Sequence, residues 1–197
     1  MDAMEAIMTR RSTRKMKPDP LPRQLIERVI EAGRAAPSGG NSQTTRFIVI
    51  QRGEILAALA ALVERAFSQM EIGPDTYRSL KNAVMASKKG GYVFHYNAPV
   101  LIVTANKAAY GNALADSACA LENMMIAANA LDLGSCWINQ PHWLTDDPGV
   151  RGCLEGIGLE KDETVTGGLI LGWPDTENGL PNRQPLPRTG NPVVWVD

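Results

Sequence analysis

Three arginines and one serine near the start of the chain are spaced for anion chemistry. Residues 10–14 read RRSTR, so Arg10, Ser12 and Arg14 fall at alternate positions with Arg11 between the first two. In an extended segment alternate side chains share one face. Planar guanidiniums bind phosphate oxygens bidentately and a hydroxyl adds a short neutral donor, so that face forms a phosphate clamp. Two later stretches add polar groups. APSGGNSQ, residues 36–43, has small residues that let backbone amides approach a ligand, while Ser38, Asn41 and Gln43 offer donors and acceptors beside Pro37 and Gly39. LGSCWIN, residues 133–139, places a glycine-serine turn before an extended edge that carries Trp137, Ile138 and Asn139. Plainer readings of the basic pentad remain open at this point: a solvated helix face, or a nucleic-acid patch.

Charge and composition narrow these readings. The formal net charge is −1, so any electrostatic function is local, and aromatic residues make up only 6% of the chain, which argues against nucleic acid. Cys119, Cys136 and Cys153 form an odd set without a CxxC pair. That fits neither a disulfide framework nor a four-ligand zinc site, so no metal is expected. The first residues, MDAMEAIMTRRS, contain no apolar core of a secretory signal, and no window approaches the roughly 18 to 20 apolar residues of a membrane span. A cytosolic protein is expected.

The elements that must position these groups are readable from periodicity. PRQLIERVIEAGRAA, residues 22–36, sets Leu25, Ile26, Val29, Ile30 and Gly33 on one helical stripe. RFIVIQ at 46–51 reads as a strand, EILAALAALVERAF as a second helix, and 70–95 as a loop with part of a helix. APVLIVTA, 98–105, is apolar almost throughout, as expected of a central strand covered on both faces. Residues 112–132 predict the longest helix, apolar nearly all round and therefore buried, with Gly134 as its stop. SCWIN and TVTGGLILGW, separated by a short helix, complete the strands. Proline then occurs five times from Pro174 onward, ahead of VVWV at 193–196. Such a tail has little reason to be ordered unless it lies on something, and a partner subunit is one candidate. The order implies an α+β fold around a small sheet.

In this order and spacing the motifs resemble the FMN-dependent nitroreductase family: R-x-S-x-R at Arg10 to Arg14, A-P-S-x-x-N-x-Q at Ala36 to Gln43, a buried helix from Asp116 closed by L-G-S at Ser135, and L-G-W-P at Leu171 to Pro174. The resemblance implies a three-layer α/β/α fold with a central mixed, mainly antiparallel sheet. It implies one FMN-binding domain, 1–173, and a C-terminal arm, 174–197, that packs on the partner of a homodimer with FMN at the interface. Carried over by position, Arg10 and Ser12 hold the phosphate or ribityl end, Arg11 contributes through phosphate or backbone, and Arg14 reaches the pyrimidine edge of the ring. From the second chain come Pro37, Ser38, Gly39, Asn41 and Gln43. Trp137, Ile138 and Asn139 pass one ring face, with the Asn139 amide at N5, where many relatives carry an acidic residue. In the tail Arg188 is the first match for a phosphate-closing arginine and Arg183 the second, and Leu186 stands where a lysine is common.

The implied activity is transfer of hydride from NADH or NADPH through flavin to nitroaromatics, quinones or related acceptors, in ping-pong order. This chemistry demands no catalytic side chain, and a GxGxxG fingerprint for the nicotinamide donor is absent. His95 and His142 are expected to be structural or substrate-lining, and Asp116 and Glu122 to be interface or cap groups. Phe67, Tyr77, Tyr92, Phe94 and Tyr96 are candidate lid aromatics. Two alternatives stay open: a specialised relative of dehalogenase or flavin-destructase type, and a non-catalytic module holding flavin or another anion.

Overall fold

The computed structural model describes residues 1–196; the last residue of the expected arm, Asp197, lies outside them. Four strands carry the sheet: β1 (Arg46–Ile50), β2 (Val100–Lys107), β3 (Gly134–Ile138) and β4 (Glu163–Gly172). They pair in the order β1-β2-β4-β3, every neighbour antiparallel, and a parallel element enters only as an isolated bridge between Ser12 and Ser135. All but the last residue of β2 are buried. Alternation sends Val100 and Ile102 to one apolar cluster and Leu101 and Val103 to the other, and the one polar side chain of the run, Thr104, is buried against the Thr166 hydroxyl at 3.1 Å.

Helices cover both faces. On one side α2 (Arg23–Arg34) and α5 (Ala113–Ala130) bury Ile26, Val29, Leu121 and Met124 against the sheet. On the other, α3 (Gly53–Gln69) contributes Leu56, Leu59, Val63 and Phe67, backed by α4 (Arg78–Lys89) and α7 (Pro148–Glu155). The result is the three-layer α/β/α arrangement expected. The remaining helices are short: α1 (Ala3–Thr9), capped by Asp2 accepting the Glu5 amide at 2.8 Å, and α6 (Gln140–Trp143). Where the sequence predicts one short helix before β4, there are two. The break falls at Asp147, whose side chain accepts the amides of Gly149 and Val150 and so starts α7 with Pro148 at its first position.

Two expectations need correction. Helix α5 is not buried all round: Leu114 is 56% exposed, Ala115, Cys119 and Ala130 also face outward, and Ile126 is half-buried. Its uniform apolarity covers a core face and an outer face that the single chain does not cover. Nor does Gly134 stop this helix, which ends four residues earlier; Asp132 takes the left-handed turn at φ 62°, and Gly134 already belongs to β3. The tail after Pro181 has no regular structure, and Val193 to Val196 are all exposed, Trp195 by 80%.

His95 is buried against the Phe94 ring, with centroids 5.3 Å apart, and burial lowers its pKa from the ordinary 6.5. The unfolded chain therefore binds a proton at a pH where the folded one does not. Unfolding free energy is expected to fall as pH drops below about 6.5, and less steeply in His95→Gln, as urea titrations at several pH values can show. Phe67 is wholly buried, so Phe67→Ala is expected to cost about 3–5 kcal/mol in the same assay.

Candidate functional site

The basic segment leaves α1 in extended form and runs beside the sheet. Arg10 already has φ −57° and ψ 129°, the Thr13 amide donates to Ser135 O at 2.8 Å, and the Lys17 amide donates to Trp173 O at 2.9 Å. Extension gives the alternation from Ser12 onward, whereas Arg10, still the cap of α1, is mostly covered. Thr13 turns inward onto Gly134, where an added Cβ would lie 2.8 Å from its methyl group, whereas Ser12 and Arg14 are exposed. The glycine of LGS is thus a point of close approach, which lets residues 10–17 seat against β3.

The arginines differ in their surroundings. Arg10 is mostly covered, and its buried Nε faces Glu122 Oε1 of α5 at 3.3 Å, near enough for an ion pair but without hydrogen-bond alignment. Arg11 donates to the Gln184 carbonyl at 3.0 Å. Arg14 enters a cavity of about 420 Å³ together with Trp137, Ile138 and Asn139, and is the sole charged residue on its wall among the described residues. The Trp137 indole N–H donates to the Asn139 side-chain oxygen, which fixes that side chain just before α6. Tyr77, Tyr92, Tyr96, Gln140 and Trp143 also line it, and α4 adds the polar Ser79 and Asn82. Tyr77 and Phe67 each meet the Trp143 ring edge-on, at 6.1 and 6.5 Å. Of the candidate lid aromatics, the three tyrosines reach the cavity; Phe67 and Phe94 are core residues.

The APSGGNSQ loop lies elsewhere on the chain. Pro37, Ser38 and Gln43 line a separate cavity of about 390 Å³ that shares no residue with the first. Gly40, Asn41 and Gln43 all have positive φ, between 52° and 58°, so the loop is held in a conformation that needs support. Buried Asp116, in the first turn of α5, supplies it: its carboxylate accepts the Gly39 amide at 3.1 Å and the Tyr110 hydroxyl at 2.9 Å. Gly39 has no room for a side chain, because a Cβ would stand 2.1 Å from Asn112 Nδ2. Gln43 in turn donates its amide to Ser38 Oγ at 3.0 Å.

Arg183 and Arg188, grouped by sequence, are separated by structure. The Arg183 guanidinium is committed to the C-terminal end of α5, donating to the Asn129 carbonyl, to Asn129 Oδ1 at 3.2 Å and to Asp132 Oδ1 at 2.6 Å. A cation there also complements the helix dipole. Arg188 is exposed and has no polar partner among the described residues. The histidines divide as well: His142 Nδ1 meets the Val165 carbonyl at 2.6 Å, and His95 lines a further cavity of about 540 Å³ beside α3. Tyr110, Gln140 and the partnership of Glu122 with Arg10 were not marked by the sequence, because each depends on a contact between distant segments.

Comparison with known proteins follows the same outline. The sequence model of the Nitroreductase family matches residues 7–173. An NADH dehydrogenase of Thermus thermophilus is 29% identical, the alignment covering 99% of this chain and 96% of that protein. Among solved structures, a nitroreductase with bound FMN from Bacteroides fragilis superposes with a TM-score of 0.84 at 30% identity, covering 99% of both chains. The FMN and NADPH-dependent nitroreductase NfnB from sphigopyxis sp. strain HMH superposes at 0.75 with 26% identity, covering 100% of each.

Removing the Asp116 carboxylate leaves the Gly39 amide without its acceptor and the Tyr110 hydroxyl with the Gly39 carbonyl at 3.1 Å in its place. Asp116→Ala is expected to lower stability by about 1–3 kcal/mol and to accelerate hydrogen exchange at residues 39–43 ahead of the sheet. Mass-spectrometric exchange on variant and parent checks the order.

Proposed function

The chain belongs to the nitroreductase family, and from that premise we propose that it is an FMN-dependent oxidoreductase that takes electrons from NADH or NADPH and passes them to nitroaromatic, quinone or related acceptors. The observation that carries this reading is the cavity at Arg14: one guanidinium set in a wall of aromatic and amide side chains, continuous along the chain with Ser12 and Arg10. A flat ring with one polar edge and a phosphate tail fits such a donor set. Bound FMN supplies hydride acceptance and donation at its N5.

The chain's own residues bind and orient. Arg10 and Ser12 are assigned to the phosphate or ribityl end and Arg11 to its support. Arg14 is assigned to the pyrimidine edge, where a fixed cation favours the charge that reduction places there. Trp137, Ile138 and the Asn139 amide are assigned to one ring face. Tyr92, whose pKa is raised chiefly by burial, keeps its proton at neutral pH. The cavity wall holds no carboxylate or histidine, in keeping with chemistry that positions and polarises without a side-chain acid or base.

A homodimer with two-chain sites is part of the proposal. Within one chain Pro37, Ser38, Gly39, Asn41 and Gln43 stand apart from the Arg14 cavity, so a second copy has to bring them to it. The outward apolar stripe of α5, with exposed Met4, Ile7 and Met8 on α1, supports a subunit interface. Strand β1 pairs on one side only, and residues 186–196, exposed and without regular structure, supply a segment able to cross to a partner. With Arg183 engaged at α5, Arg188 is the arm's candidate for the phosphate.

The test is the visible spectrum of the purified protein with FMN, then with anaerobic NADH or NADPH. A flavin spectrum that bleaches is expected. A colourless protein that refuses FMN defeats the reading. Arg10→Ala with Ser12→Ala removes charged and neutral phosphate donors together, and FMN affinity is expected to fall about a hundredfold or more while sedimentation still reports a dimer.

A further inference from the structure

The cavity of about 540 Å³ beside α3 lies outside the site assigned to the flavin. Tyr92 alone lines both, its amide bonded to Glu64 of the one and its hydroxyl to Gln140 of the other. Helix α3 serves two neighbours. Leu59, Val63 and Phe67 enter the core, while Ala57, Ala60, Ala61 and Glu64 lie on one helical stripe and line the cavity. Pro18, Val93 and Pro99 add apolar surface from two other segments.

Glu64 is the sole charged side chain on this wall among the described residues. His95 lines the cavity too, but burial lowers its pKa from the ordinary 6.5 and keeps the ring neutral at pH values above that. One oxygen of the Glu64 carboxylate is committed: Oε1 accepts the Tyr92 amide at 2.7 Å, which fixes the group in place. The other is free. Oε2 meets no hydrogen-bond donor or cation among the described residues, and it keeps accessible surface on a residue of the cavity wall.

That combination restricts the guest. An anion is repelled by the carboxylate, and an uncharged apolar molecule displaces water from Oε2 without returning a donor. A cation carried on an apolar body meets both requirements, and its bond to a carboxylate is of the stronger, charge-assisted kind. The volume falls within the roughly 300–1,000 Å³ of small-molecule sites. We propose that this cavity is a second ligand site, which takes a compact hydrophobic amine with its ammonium on Glu64 Oε2 and its body on the alanine face of α3. The site is independent of the flavin reading and goes beyond it.

Phenethylamine, phenethyl alcohol and phenylacetate share one apolar body and differ in charge at neutral pH. Each is titrated calorimetrically into the purified protein saturated with FMN; if the protein refuses FMN, the oxidoreductase reading falls and the titrations are run on the chain alone. The amine is expected to bind saturably, about tenfold or more tightly than the alcohol, with phenylacetate weaker still. Glu64→Gln keeps an oxygen for the Tyr92 amide and removes the charge, so the amine is expected to fall to the level of the alcohol while the alcohol is unchanged. Ala61→Phe fills the cavity from an exposed position of α3 and is expected to abolish binding of both, with circular dichroism reporting an intact fold. Absence of amine binding, equal affinity for amine and alcohol, or an amine preference that survives Glu64→Gln overturns the proposal. Binding that a folded Ala61→Phe variant leaves intact overturns it as well.

Discussion

Burial of β2 and β4 on both faces is the constraint from which the remaining architecture follows. A sheet whose two central strands show apolar side chains above and below is stable only between two layers of helices, and α2 with α5 and α3 with its neighbours provide them. Once the faces are closed, polar work is confined to strand ends, sheet edges and the loops beyond. Segment 10–17 occupies one such edge. Its backbone hydrogen bonds to Ser135 and Trp173 convert a flexible basic stretch into a rail of fixed orientation. The rail turns Ser12 and Arg14 outward at the place where Trp137 to Asn139 emerge from β3.

Those parts of the design that depend on periodicity within a segment were legible in the sequence. The period-two placement of Arg10, Ser12 and Arg14 anticipated an extended backbone, and the unbroken run at 98–105 anticipated a central strand. The pairing of distant groups was not legible. Arg10 and Glu122 are separated by the whole first half of the fold, and the support of Gly39 by Asp116 joins a loop to a helix 77 residues away. A periodic pattern tells which face of an element is apolar; it does not tell what covers that face. Helix α5 illustrates the limit, since its all-round apolarity reads equally well as one buried helix or as a helix shared between a core and an outer surface. The aspartate-proline signal at 146–148 is a local cue for an extra helix start, but α6 and α7 are both too short for periodicity to separate them.

Two kinds of glycine act in the site for opposite reasons. Gly134 and Gly39 are places where another group comes too close for a Cβ, Thr13 in one case and Asn112 with Tyr110 in the other. Gly40 has open space around it and supplies backbone conformation instead, at φ 58°. Asn41 and Gln43 share that unusual conformation without being glycines, and the carboxylate of Asp116 with the hydroxyl of Ser38 holds the loop there. Strain and its restraint are encoded in different segments, and neither is intelligible alone.

The latch between Arg183 and the end of α5 also sets a geometric leash. Three hydrogen bonds fix the chain at Arg183, so everything after it swings from a known point. Arg188 lies five residue steps from that point, and a fully extended chain advances at most about 3.5 Å per residue, so the Arg188 backbone can lie no farther than about 17 Å from the anchor. Any group within reach of Arg188 must lie inside that sphere plus the length of one arginine side chain. Where the tail can reach is therefore set by α5, the helix that holds its anchor, and not by the sheet.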